Sequence, residues 1–319
     1  MLRDEMITVF GGSGFVGRYV VRALVKKGFR VRVATRRPHI ALDLKVTGVV
    51  GQVDLMQANV RNPSSVRRAV EGAHGVVNLV GILAESGSQR FASLQAKGAR
   101  NIAEAAAAAG ARRFVQISAI GANPDSESRY AKTKAEGEEA VARVFPGAVI
   151  LRPSIVFGAE DKFFNRFADM ARFAPALPLP GGGKMKIQPV FVGDVADCVA
   201  NAIDDPSAAG IYELGGPRVY TYRELMEFIL ETIDRPRLLV PVPMFAMSAL
   251  GFAGEIAGTL PFVKPFLTRD QVIMLGEDNV VSPDMRGVAD LGVTPETIES
   301  VVPSYLWRYR RHGQFHETA

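Results

Sequence analysis

The apolar positions of this chain fall into short blocks that alternate between two spacings. Ile7, Val9 and Phe10 close a compact apolar run, the pattern of a strand buried on both faces. From Phe15 the spacing changes, and Val16, Val20 and Leu24 recur at helical intervals until Gly28. The alternation then repeats. Further strands are expected at 30–34, 53–58, 75–80, 114–118 and 149–151. Helices are expected at 64–71, where Asn62 and Pro63 give start signals, at 91–109, closed by Gly110, and at 131–144. Strand and helix in turn predict an α/β fold, a Rossmann-type doubly wound parallel sheet.

From Phe157 the rhythm breaks. A helix is expected at 163–173, a Pro/Gly-rich loop at 174–183, short strands returning to the sheet region at 189–192 and 211–214, and a helix at 222–233. Prolines then recur around apolar helical pieces. Residues 1–157, with strands returning near 188–216, are the expected dinucleotide core; 158–319 form a smaller, mostly helical C-terminal lobe. Within that lobe 244–257 and 261–267 are apolar. They suit either a packed core or a face against lipid or a membrane subunit. The stretch Leu306-Trp307-Arg308-Tyr309-Arg310-Arg311-His312 suits a solvated basic tail, or contact with anionic headgroups or an acidic subunit.

The first strand-to-helix passage carries the clearest chemistry. Gly11, Gly14 and Gly17 keep a three-residue spacing through Val9–Gly17, with Ser13, Phe15 and Val16 between them. Such a turn needs positive φ or close backbone approach, and the amides of the new helix then face a gap fit for a pyrophosphate. At the end of the second strand stand Arg36 and Arg37, with no carboxylate to take a ribose 2′-hydroxyl. Arginine there accommodates a 2′-phosphate, so the expected cofactor is NADP(H), bound as NADPH; a solvated basic turn is the plainer reading. Asn59 and Val60 would lie beside the adenine, and Gly81 where the backbone passes the cofactor.

Tyr130 and Lys134 stand one helical turn apart. A nearby ammonium favours phenolate, so the tyrosine can exchange protons near neutrality, and the lysine can bond the nicotinamide ribose. Ser118, at the end of the fifth strand, could polarise a substrate carbonyl. Catalysis and mere cofactor positioning both fit the pair.

Composition narrows the setting. At 319 residues, 48% hydrophobic and 22% charged, the chain is ordinary globular material. A net charge of +5 and pI near 9.4 suit a nucleotide, an anionic membrane surface or an acidic partner, and are too diffuse to argue for nucleic acid. The one cysteine, Cys198, excludes an internal disulfide framework and, in an apolar-periodic stretch, is expected to be a buried structural thiol. His39, His74, His312 and His316 are too scattered for a metal site. No signal-peptide core precedes Gly11 and no arginine- and serine-rich presequence is visible. A bacterial cytoplasmic or processed organellar protein is expected, with no spanning helix.

The combination of GGSGFVG, YAKTK, the strand-loop 151–158 (LRPSIVFG) and 192–196 (VGDVA) resembles the extended and atypical short-chain dehydrogenase/reductases. Within them, 157–163 (FGAEDKF) continuing into 165–168 (NRFA), then 188–190 (QPV) and 267–270 (LTRD), are similar to the nucleotide-binding accessory subunit of respiratory complex I and its bacterial relatives. The resemblance implies tight NADPH binding without turnover of its own, and a place among complex I subunits where the peripheral arm meets the membrane. That place is the inner face of the bacterial inner membrane or the matrix side of the mitochondrial one. It implies that Gly11, Ser13, Gly14, Phe15 and Val16 hold the pyrophosphate, Arg36 the 2′-phosphate, and Tyr130 with Lys134 the nicotinamide ribose, with Pro153 in the cofactor set. One departure matters. Extended enzymes offer a run of Ser or Thr after the fifth strand, whereas Ser118 is followed by Ala119 and Ile120. The alternative is a free-standing NADP-dependent oxidoreductase or epimerase acting on a sugar, sterol-like or quinone-related substrate.

Overall fold

The computed structural model describes residues 2–257, 267–311 and 313, and these fall in two units. The first comprises Met1–Pro153, Val192–Leu214 and Ser282–Thr294. Its strands are β1 (Met6–Phe10), β2 (Arg30–Thr35), β3 (Val53–Gln57), β4 (Gly75–Asn78), β5 (Arg113–Ile117), β6 (Val149–Pro153) and a seventh, Gly210–Leu214. They form one sheet in the order seventh-β6-β5-β4-β1-β2-β3, and every neighbouring pair is parallel. Ile7, Val9, Val31, Val33, Val76 and Val77 are fully buried, as expected of strands covered on both faces.

The helices α1 (Phe15–Lys26), α2 (Pro63–Val70), α3 (Lys97–Ala108) and α4 (Arg129–Val144) connect these strands, and the Val192–Asp204 helix packs beside α1. Local chemistry sets their starts. Asn62 accepts from the Ser64 and Ser65 amides with Pro63 at the first position of α2, and Ser128 accepts from the Ala131 amide of α4. Phe10, Ile102, Phe114 and Val141 belong to one core cluster. Because β2 and β4 flank β1, successive crossovers leave β1 in opposite directions, and a crevice opens at the C-terminal ends of the strands there.

The second unit comprises Ser154–Phe191, Gly215–Val281 and Pro295–Ala319. Its core gathers Phe157, Phe164, Leu177, Leu225, Ile229 and Leu306. Around it stand helices Phe164–Phe173, Tyr222–Thr232, Met244–Ala257 and Arg269–Met274. Reciprocal side-chain caps open two of them, Thr221 with Glu224 and Thr268 with Gln271.

Three details depart from the sequence reading. The expected loop 174–183 contains a strand, Ala176–Pro180, paired in parallel with Leu238–Val242. Pro178, Pro180 and Pro241 are tolerated because a two-stranded ladder has only edge strands. Val190–Phe191 does not return to the large sheet but pairs with Val156–Phe157; Gly210–Leu214 does return, beside β6. The helix expected over 91–109 opens as a π-helical turn at Ala92–Ala96 before α3. No described helix is long and apolar enough to cross a membrane. His312, His316 and residues 261–266 of the second apolar stretch lie outside the described residues.

Candidate dinucleotide site

β1 ends at Phe10 and the chain turns at Gly11, whose φ of +83° a side chain would strain. Gly14 stands at the N-cap of α1 and brings no capping side chain, so the first-turn amides face the crevice unscreened. Gly17 allows the helix to sit against the turn. A Cβ there would lie 2.6 Å from the Cα of Gly12 and closer still to the Gly11 carbonyl oxygen. Ser13 Oγ and Thr35 Oγ1 are 3.0 Å apart, which ties the turn to the end of β2.

Around this turn lies a cavity of about 460 Å³, lined entirely by the first unit. Gly11, Ser13 and Gly14 form one wall, Thr35, Arg36, Arg37 and Ile40 a second, Ala58 and Val60 a third. Leu79 to Ile82 lie across the floor, with Gln89 and Leu94 beside them. No carboxylate lines it. Arg36 and Arg37 are exposed, and among the described residues neither guanidinium is ion-paired. Two uncompensated guanidiniums, a helix N-terminus and an apolar wall at Val60 fit a phosphorylated adenosine.

Seven of the residues singled out in the sequence meet here: Gly11, Ser13, Gly14, Arg36, Arg37, Val60 and Gly81. Phe15, Val16 and Gly17 form the first turn of α1. Asn59 serves its own loop: its amide donates to Ser65 Oγ at 3.0 Å and its side chain accepts from the Arg61 amide at 3.1 Å. Pro153 ends β6, where its carbonyl accepts from Ile120.

Tyr130, Lys134 and Ser118 form a second group. Lys134 is buried on α4, and its Nζ donates to the Ile117 carbonyl at 3.2 Å. The same atom would lie 3.2 Å from a Cβ on Gly81, so the lysine abuts the cavity floor and the glycine keeps that approach open. Burial pulls the ammonium down to about 8, with Glu138 opposing the shift. Lys134 Nζ is 5.8 Å from the Tyr130 ring centroid, and Phe91 packs edge-on to that ring. Ser118 is 3% exposed, and its Oγ has no hydrogen-bond partner, a polar atom still available to a ligand.

Supporting contacts escaped the sequence reading. Gln95, in the π-helical turn, donates to the Ile82 carbonyl at 2.8 Å and accepts from Thr133 Oγ1 at 2.8 Å, joining cavity floor to α4. Asn78 Nδ2 donates to Gln116 Oε1 at 2.8 Å, and Asn78 Oδ1 accepts from the Val80 amide at 3.1 Å. Gln116 in turn donates to the Ile117 carbonyl at 3.1 Å, the acceptor that Lys134 shares. Two amides inside otherwise apolar strands were the available signal. Gln95 offered none, because its role arises from the widened turn.

Residues 7–215, from β1 through the seventh strand, match a single family model. The chain belongs to the NAD dependent epimerase/dehydratase family. Over 308 residues it is 36% identical to NADH dehydrogenase (ubiquinone) 1 alpha subcomplex subunit 9, mitochondrial, of Mus musculus, across 96% of this chain and 80% of that one. The NADH-ubiquinone oxidoreductase 40 kDa subunit of Neurospora crassa is 32% identical over 315 residues, 98% of this chain and 82% of that one. The fold is shared with an NADPH-dependent quinone oxidoreductase of Escherichia coli, at a TM-score of 0.74 and 20% identity, over 94% of this chain and 99% of that one. The cofactor class of this family member is a nicotinamide dinucleotide.

Proposed function

We propose that the protein is an accessory or assembly subunit of a respiratory NADH:ubiquinone oxidoreductase, and that it holds NADPH as a structural or redox-sensing ligand. The observation that carries this is the likeness to respiratory-complex subunits, which runs over 96% of the chain rather than over the nucleotide-binding part alone. In this reading Gly11, Ser13, Gly14, Phe15, Val16 and Gly17 hold the pyrophosphate and Arg36 with Arg37 the 2′-phosphate. Asn59 and Val60 flank the adenine, and Gly81, Pro153, Tyr130 and Lys134 serve the nicotinamide half. Residues 1–157 supply most of that site, and 158–319 supply partner contacts.

Surface composition supports a subunit. Among the described residues sixteen large apolar side chains are exposed, and eleven fall in two short stretches: five at 40–50 and six at 238–256. Phe245 is 79% exposed and Val46 83%. Clusters of this kind mark surfaces that a partner covers. We assign the 238–256 face to the junction of peripheral arm and membrane, on the cytoplasmic or matrix side, where it meets neighbouring subunits and the lipid surface.

Affinity purification of the tagged protein from respiring membranes, with mass spectrometry of both co-purifying subunits and released nucleotide, tests the assignment. Complex I subunits together with NADPH are expected. Recovery of the protein free of them, with complex assembly intact in a deletion strain, sinks it.

One observation favours a second reading. The buried, unpartnered Ser118 hydroxyl, together with Tyr130 and Lys134, has the groups of a carbonyl-reducing site, with Ser118 orienting a carbonyl and Tyr130 moving the proton. A bound dinucleotide would supply or accept the hydride. Ala119 and Ile120, in place of further hydroxyls, weigh against that reading.

A further inference from the structure

Lys134 is the first charge in a row that runs away from the cavity. One helical turn along α4, Glu138 is 5% exposed, and its carboxylate is gripped on both oxygens by Arg152 of β6, Nε to Oε1 at 2.9 Å and Nη2 to Oε2 at 2.6 Å. Arg152 Nη1 also lies 3.6 Å from Glu213 Oε1 on the seventh strand, and Glu213 Oε2 accepts from the Ser282 amide at 2.8 Å. Cation and anion thus alternate through the interior from Lys134 to Glu213.

We propose that Glu138 is a positioning residue for the dinucleotide: clamped by Arg152, it is the fixed counter-charge of the buried Lys134 ammonium. This rests on the reading that Lys134 serves the nicotinamide half. The groups facing that ammonium are few. Its own helix presents Glu138 and the Tyr130 ring, β5 the Ile117 carbonyl, and the loop after β4 presents Gly81. Arg152 and Glu213 stand behind Glu138 and balance one another. A buried ammonium without a counter-ion loses its proton readily, and a neutral amine donates poorly to a ribose hydroxyl. Arg152 fixes Glu138 by two bonds, so the counter-charge does not swing away when the cavity fills.

The test is a pH profile. Dinucleotide affinity, followed by NADPH fluorescence, is measured from near pH 6 to near pH 9.5 for the unaltered protein, Glu138→Gln and Glu138→Asp. In parallel, the Lys134 side chain is titrated by carbon-13 NMR in the free protein. The Lys134 midpoint, at about 8 in the unaltered protein, is expected about one pH unit lower in Glu138→Gln. Affinity at neutral pH is then expected to drop several-fold, with the curves converging near pH 6, and Glu138→Asp to recover most of the loss. An unmoved Lys134 midpoint overturns the proposal. So does an equal loss of affinity at every pH, the mark of a purely structural Glu138–Arg152 pair. The NMR titration needs no ligand. A protein that binds no dinucleotide at any pH therefore removes the parent reading, while the midpoint still decides whether Glu138 is the counter-charge.

Discussion

Gly17 in the first turn of α1 and Gly12 in the preceding turn are packed so closely that a Cβ on the former would lie 2.6 Å from the Cα of the latter. The obstructing atoms are backbone and cannot rotate aside. Gly17→Ala is therefore expected to shift α1 away from β1, at a cost of about 1–3 kcal/mol. Thermal unfolding should show a loss of several degrees, and nucleotide affinity should fall with it, because the helix N-terminus moves. Unchanged melting and affinity would contradict this packing.

Arg36 and Arg37 carry the choice between the two dinucleotides. Replacing both with alanine removes the charges available to a 2′-phosphate and leaves the glycine turn untouched. The affinity for NADPH is expected to drop about 10- to 100-fold while that for NADH stays within about twofold. Calorimetric titration with each nucleotide gives the ratio. Equal losses for both would assign the arginines to general electrostatics.

Tyr130→Phe separates holding from turnover. If the nucleotide is a ligand only, the variant loses at most about tenfold in affinity, the worth of one hydrogen bond, and neither protein transfers hydride. Isotope exchange from deuterated NADPH to carbonyl acceptors is the measurement. Exchange by the unaltered protein that the variant abolishes, with binding retained, would establish the enzyme.

Phe245 and Phe252 are exposed on the Met244–Ala257 helix, so their replacement by serine removes little intramolecular packing. Stability is expected to stay within about 0.5 kcal/mol. Co-purification with the respiratory complex is expected to fall sharply. Undiminished association would move the docking face elsewhere, with the 40–50 stretch next to be tested.

The strands of the large sheet were legible because their residues are buried on both faces, leaving short unbroken apolar runs such as Val76–Val77 between turns. The glycine turn was legible for a different reason: backbone geometry there restricts the residue type itself. The Ala176–Pro180 strand was hidden by its prolines, which signal a loop unless the neighbouring chain is known to pair along one edge only. Gln95 was hidden because a π-helical turn depends on what the side chain reaches, here the Ile82 carbonyl and Thr133, and neither is near it in sequence. Arg36 and Val60 could be placed from strand ends alone. Gln89 could not, since the loop that brings it to the cavity has no periodicity to read.

The amide that satisfies Glu213 comes from Ser282, far along the chain and well past the last strand of the sheet. The dinucleotide-binding unit is consequently not an excisable module. A fragment cut at residue 215 would retain all seven strands and the glycine turn, yet would strip one oxygen of a buried carboxylate of its donor. Insertions and deletions that lengthen or shorten the second unit are therefore constrained to deliver residues 282–294 back to the same place. The two units are free to diverge in sequence, but not to separate.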